Sequence, residues 1–428
     1  MNKTGINLIF LIIVYQLCLA SSSALAGSNL AEKTIPSAFP GSPSSSAPVS
    51  PPIKIGQDQY SIEYYSVAYN SNRNEFMVIW RELNETDFGS SIYGRRVSAY
   101  GDTIGPAFQI LNVTDKSFQQ SDIVYVPKYD MYWIAIFEDK SFNNAIWVKS
   151  INWKGETITQ ELIKDNTDSP GGPTLALAYN SVDDQVMIVY ENRLSSTNLV
   201  IGAFCLKAGN GEKCGEKDVA ASTKRLRYPD ITFNPARTEY LIGYTMFGGT
   251  GDSNIKGKIC NADLSSCSSE IAVTIHGNPW QDDVSLASGP DEYLAVWWER
   301  YSTDSEGNWG RRIGGDGTLN NFINVIPGSG RFGSPIAVYG DTGRYLITTY
   351  NSTHFVGRFL HPGKDIPDGD TFIIEKTGEY AIATAAACQK GVPCLVVYTV
   401  YKEGEGVEVR GRLIGYWDRN YLPLVFKN

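Results

Sequence analysis

A five-residue phrase, mostly apolar and in most copies ending on an aromatic, returns seven times along this chain. A loop and a strand-like segment built on Gly and a basic residue follow the clearest copies. FMVIW at 76–80 is followed by IYGRRVSAYG at 92–101, and YLAVW at 293–297 by WGRRIGGDG at 309–317. The other copies are WIAIF at 133–137, VMIVY at 186–190, YLIGY at 240–244, YLITT at 345–349 and CLVVY at 394–398. Their last residues lie 57, 53, 54, 53, 52 and 49 positions apart. A period of this size with several short strands per unit predicts a β-propeller with one blade per repeat.

Each unit offers four strands; in the fifth they are expected at 284–287, 293–297, 310–313 and 322–326, between Gly, Pro, Asp and Asn turns. One four-stranded sheet cannot cover both its faces, so blades must stack radially and bury their apolar residues against neighbours. Gly94, Gly202, Gly257, Gly310, Gly357 and Gly411 in the third strands suit a place where a large side chain or another backbone comes close. No segment sustains a 3.6-residue apolar period, so the fold class is all-β: seven four-stranded antiparallel blades. The seventh unit reads as strands at 382–387, 395–400 and 407–414, so a chain terminus must supply its outer strand. The candidates are 53–55 and 421–426; the N-terminal segment is preferred because Pro423 cannot donate to a ladder.

Residues 1–26 read as a secretory signal, with Lys3 before an apolar core at 8–14 and Ala24-Leu25-Ala26 as a small-x-small cleavage site. The context of Cys18 lacks the small residues of a lipoprotein cysteine, and no stretch is long enough to span a membrane. Residues 27–52, rich in Ser, Pro and Ala, read as a linker, and 53–428 as the propeller. Beyond the signal, six cysteines form three local pairs, Cys205/Cys214, Cys260/Cys267 and Cys388/Cys394, each expected to staple a hairpin in an exported chain. A net charge of −9 with no basic run beyond 224–227 argues against nucleic acid as a partner. Sequons stand at Asn84, Asn112 and Asn351.

Familiar catalytic patterns fail. The GxGxxG match at 328–333 sits between strands with no helix, and the SxxK match at 253–256 lacks helical context. Residues 302–309 resemble a sialidase Asp box, but the Gly is displaced and the segment lies between the second and third strands. Three His (His276, His354, His361) without HExxH make a catalytic zinc site improbable.

The loops joining strands two and three, and strand four to the next blade, emerge on one face around the central channel. Aligned on the residue three places on, the first-strand starts read Ser66, Asp122, Ala176, Asp230, Asp283 and Pro335, which brings three carboxylates to one mouth. Glu82, Glu138, Glu299 and Arg300 follow the second-strand phrases, and neighbouring loops add Arg227, Tyr228, His276 and Trp280. Aromatic platforms among carboxylates and Arg suit a sugar-like ligand, whose rings stack on flat faces while its hydroxyls take hydrogen bonds. Calcium is the cation such a ring of carboxylates would accept. Paired acids there, or His276 with Tyr228, would also suit general acid–base chemistry.

The Tyr-Leu-Ala-Val-Trp phrase, followed by Ile-Tyr-Gly-Arg-Arg-Val and a Gly turn, resembles the blade repeats of secreted bacterial β-propeller proteins that carry YLVVW…IYGxRV…G strings. The resemblance covers about residues 60–415, is strongest in units one and five, and departs at Trp147-Val148-Lys149, Ile201-Gly202-Ala203 and Val409-Arg410-Gly411. The ending YLPLV also resembles short C-terminal segments of exported bacterial proteins. The resemblance implies export and this fold and brings no catalytic residues. The expectation is therefore a secreted or cell-surface recognition module for glycan or protein. A polysaccharide lyase or glycoside hydrolase on the same face, or a structural surface protein, are the alternatives.

Overall fold

The computed structural model describes residues 49–415 apart from loop segments at 59–61, 84–88, 114–116, 140–143, 168–173, 196–197, 249–251, 275–279, 303–304, 328–332, 341–342, 352–353, 377–380 and 403–405. The expected signal at 1–26, most of the linker and the 421–426 ending lie outside the described residues. What is described is a seven-bladed β-propeller of four-stranded antiparallel sheets. Blade 1 is Ile62–Asn70, Glu75–Leu83, Ser90–Ser98 and Thr103–Val113, from the channel outward. Blade 4 is Leu226–Asn234, Glu239–Phe247, Ser253–Asn261 and the short Ile271–Ala272; blade 5 is Trp280–Ser288, Glu292–Ser302, Ser305–Gly314 and Leu319–Ile326. Blade 7 has Ala381–Gln389, Val392–Lys402 and Gly406–Ile414 from the C-terminal end, and Ile53–Asp58 pairs antiparallel with the last of these. The N-terminal segment thus closes the ring. Closure begins earlier than the expected boundary at 53: Val49 bridges Ile414, and the Ser50 N–H and hydroxyl bond the backbone of Leu413.

The burial pattern shows why the second-strand phrase is a continuous apolar run. Inner strands such as Leu175–Asn180 are buried along their whole length, because both of their faces meet a neighbouring blade. Third strands such as Ser90–Ser98 alternate, and the outer strand Lys213–Ser222 is largely exposed. Seven apolar clusters result, each between two blades. Trp80 and Val78 of blade 1 pack with Leu395, Val397 and Ile55 of blade 7, and Leu241 and Ile255 of blade 4 with Leu286 and Trp297 of blade 5.

The Gly-basic pair in the third strand has a role that the repeat alone did not reveal. Glycine makes room for the outer strand: a Cβ at Gly94 would stand 2.9 Å from Ile110 Cδ1, and one at Gly357 2.6 Å from Phe372 Cζ. The basic residue at the next position, which in blade 2 follows Val148 instead of glycine, reaches back to the preceding blade and donates to a carbonyl of its outer strand or of the residue just beyond it. Arg95 donates to Ile55 (2.8 Å), Lys149 to Ile110 (2.6 Å), Lys258 to Val219 (2.9 Å), Arg311 to Val273 (2.9 Å) and Arg358 to Val325 (3.4 Å). Arg412 instead meets the Glu375 carboxylate of blade 6 and the Ser50 carbonyl. A long cation on one blade therefore satisfies an edge group of the blade before it.

The three expected disulfides are present: Cys205–Cys214 joins the outer two strands of blade 3, Cys260–Cys267 staples blade 4, and Cys388–Cys394 links the inner hairpin of blade 7. Cys205 lies opposite Met187 and Cys260 opposite Tyr240, so the two are offset by one register position and are not strict equivalents.

Candidate functional site

Two of the three carboxylates expected at the channel mouth are taken up by the ring itself. Asp122 is fully buried; one oxygen accepts the Ile123 N–H (2.9 Å) and the Ser66 hydroxyl (2.6 Å), the other the Leu177 N–H of blade 3 (2.8 Å). Asp230 repeats this between blades 4 and 5, accepting from Ile231 (2.8 Å) and Leu286 (2.7 Å). The innermost strand is a free edge, and these side chains satisfy its N–H groups from the neighbouring blade. Asp122 and Asp230, expected to contact ligand, thus have a structural part in the ring. Nor do these carboxylates form a calcium cage: among the described residues no three His, Cys, Asp or Glu side chains are grouped to hold a metal.

Asp283 is not their equivalent. Ser285 lies opposite Val296 as Asp230 lies opposite Gly243, and Ser285 accepts the Ala337 N–H of blade 6 (3.2 Å). Both inner strands carry a bulge at the same place, between Arg227 and Asp230 and between Asp282 and Ser285, so Asp283 corresponds to Tyr228. Within the bulges Tyr228 (φ 55°) and Asp283 (φ 56°) adopt the left-handed region. Strain of this kind in non-glycine residues gathers where a site fixes side chains against local preference.

The second-strand carboxylates serve indoles. Glu82 accepts from Trp80 (2.7 Å), Glu138 from Trp147 (2.8 Å), and Glu299 from both Trp297 (3.0 Å) and Gln281 (2.8 Å). A shielded indole N–H needs an acceptor, and Glu82, Glu138 and Glu299, expected to contact ligand, each supply one.

What remains of the expected set gathers on blades 4 and 5. Arg227 is buried beside Glu191 of blade 3 (3.5 Å) and lies 4.4 Å over the Tyr228 ring. Glu191 also accepts the Tyr228 N–H (2.8 Å) and the Thr174 hydroxyl (2.6 Å). Burial opposes the charge of Arg227, and Glu191, Tyr228, Asp282 and Asp283 outweigh it. Asp282 accepts the Asp283 N–H (3.1 Å), and Asp283 accepts the Ser334 hydroxyl of the segment entering blade 6. Burial, then the adjacent Asp283, drive the Asp282 carboxyl far above the ordinary range. Burial pushes Asp283 up to about 6, against the pull of Ser334 and Arg227. Beside this pair Arg300 lies 4.9 Å over the Trp280 ring and 5.4 Å over the Trp298 ring, and Trp280 is 36% exposed. His276, with Arg331 and Phe332 of a neighbouring loop, lies outside the described residues.

The upward shift of Asp283 has a stability consequence. An acid whose folded pKa is raised holds a proton that the unfolded chain releases, so it lowers stability as pH climbs from about 4 to about 6. Asp283→Asn removes that slope, keeps an oxygen for Ser334, and tolerates φ > 0. The variant should match the parent near pH 4 and exceed it by up to about 2 kcal/mol above pH 7 in urea melts. A parallel pH profile for the two proteins would contradict this.

No protein-family model matches the sequence, and a search of curated proteins returns no match. Solved structures do match. A protein of unknown function from Dyadobacter fermentans is 11% identical with a TM-score of 0.51, covering 86% of this chain and 99% of the other. The WD40 domain of Toxoplasma gondii coronin is 10% identical with a TM-score of 0.51, covering 88% and 89%. The polysaccharide lyase Uly1 is 10% identical with a TM-score of 0.48, covering 93% and 97%. At this identity the likeness shows the fold alone.

Proposed function

We propose that the protein is an exported recognition module that binds glycan at the channel mouth over blades 4 and 5. One observation carries the reading: an exposed Trp280 face stacked with Arg300 stands beside a buried Arg–carboxylate cluster built on two strained bulges. A flat apolar face among fixed polar groups is the ordinary chemistry of sugar recognition. Three disulfides suit an oxidising compartment outside the cytoplasm, and among the described residues no helix is long and apolar enough to cross a membrane. On a glycan array the protein should bind a defined set of glycans, and Trp280→Ala should lower that binding about tenfold or more with unchanged thermal stability. Binding that survives Trp280→Ala in full would move the site elsewhere.

A catalytic reading rests on Asp283, partly exposed and held near pH 6, where a general acid works well at neutral pH. It predicts new reducing ends or unsaturated products from a bound polysaccharide, lost in Asp283→Asn. Binding without products supports the module.

A further inference from the structure

Within the glycan reading, the charged side chains of the blade 4–5 mouth are sorted by sign. Among the described residues its acids turn inward or are engaged: Glu191 and Glu299 are buried on protein donors, Asp282 is buried against Asp283, which itself accepts the Ser334 hydroxyl, and Glu306 accepts the Trp298 indole (3.2 Å). The Asp252 carboxylate folds back over Gly248 of its own loop, where a Cβ would stand 1.8 Å from its Oδ1. The cations lie outward. Lys224 and Arg225 are exposed just before the inner strand of blade 4, and Arg300 is held between two indole rings at the end of the second strand of blade 5. The Arg225 carbonyl accepts the Phe247 N–H (2.8 Å), Phe247 lies opposite Ser253, and the Ser253 hydroxyl accepts the N–H of Gln281 next to Trp280 (2.9 Å), so the cations and the exposed Trp280 flank one spot. A chain of net charge −9 thus presents a cationic rim here.

We propose that this mouth selects an anionic polysaccharide, with Arg225 and Arg300 taking its carboxylate or sulfate groups and Trp280 stacking on a ring. Planar guanidinium groups match both anions with two parallel N–H bonds, and Arg300 is already oriented by its stacking. Attraction between a polyanion and an exposed cationic rim weakens as salt rises.

The test uses affinity electrophoresis of the full chain against hyaluronan (carboxylate only), dextran sulfate (sulfate only) and dextran (neutral), at low and moderate salt. Hyaluronan, dextran sulfate or both should retard the protein while dextran does not, and retardation should fall with salt. Arg225→Gln and Arg300→Gln should each weaken binding about tenfold, with Arg225→Lys recovering part of it; melting curves check that the variants fold. Retention on hyaluronan alone assigns the carboxylate, and on dextran sulfate alone the sulfate. Dextran bound as well as the charged polymers, or charged polymers bound equally by both Gln variants, would overturn the anionic selection and leave glycan recognition standing. If no polymer binds and a neutral glycan array is also blank, both readings fall.

Discussion

A chain lacking residues 53–58 should lose on the order of 5 kcal/mol of stability and melt about 10 °C or more below the parent. Those residues form the outer strand of the seventh blade, paired from Ile53 opposite Gly411 to Asp58 opposite Val407. Ile55 is fully buried and Ile53 nearly so, in the cluster that joins the first and last blades. Each buried Ile carries about 2–5 kcal/mol against truncation to Ala. The deletion also strands the Arg95 guanidinium, which donates to the Ile55 carbonyl, and leaves the Gly406–Ile414 strand as an open edge. Ile55→Ala alone should cost the lower end of this range. Removing residues 27–47 should cost nothing, because the described closure starts at Val49 and Ser50. Thermal melts followed by circular dichroism decide the matter, and an unchanged melting temperature without 53–58 would mean that another segment closes the ring.

The repeat exposed the fold because it encodes burial that any blade must satisfy. A second strand squeezed between two blades has to be apolar on both faces, so phrases such as YLAVW are long-range information written locally. Disulfides were legible for a similar reason: pairs separated by 9, 7 and 6 residues can only bridge within one blade's hairpins. Site residues were harder, because side-chain direction has a period of two and one bulge reverses it. Leu286 aligns with Ile231 and not with Phe233, so counting three places back from it puts Asp283 where the ladder puts Ser285. The structural part of Asp122 and Asp230 was hidden for another reason: besides the N–H of the following residue, each holds an N–H of the next blade, about 55 residues away, and nothing near it in sequence names that donor. The inter-blade cations did leave a signal, since Arg95, Lys258, Arg311, Arg358 and Arg412 each follow a third-strand Gly. It was read as a motif and not as a bond.

Asp230→Ala is the sharpest test of that reassignment, because the two roles predict opposite results. As a ligand contact at the mouth, Asp230 would be dispensable for folding and required for binding. As an inter-blade acceptor it is required for folding and indifferent to binding. Its two oxygens hold the Ile231 and Leu286 N–H groups, both buried on inner strands and both left without an acceptor by alanine. Each orphaned buried donor costs about 1–3 kcal/mol, so the variant should lose about 3–5 kcal/mol in urea unfolding. Asp122→Ala should lose a similar amount, since it also gives up the Ser66 hydroxyl. Asparagine at either position keeps one accepting oxygen and should fall between. The folded fraction of Asp230→Ala should bind whatever glycan the parent binds with the same affinity, because Trp280, Arg225 and Arg300 are untouched. A variant that keeps full stability and loses binding would return Asp230 to the site and dissolve the stitch.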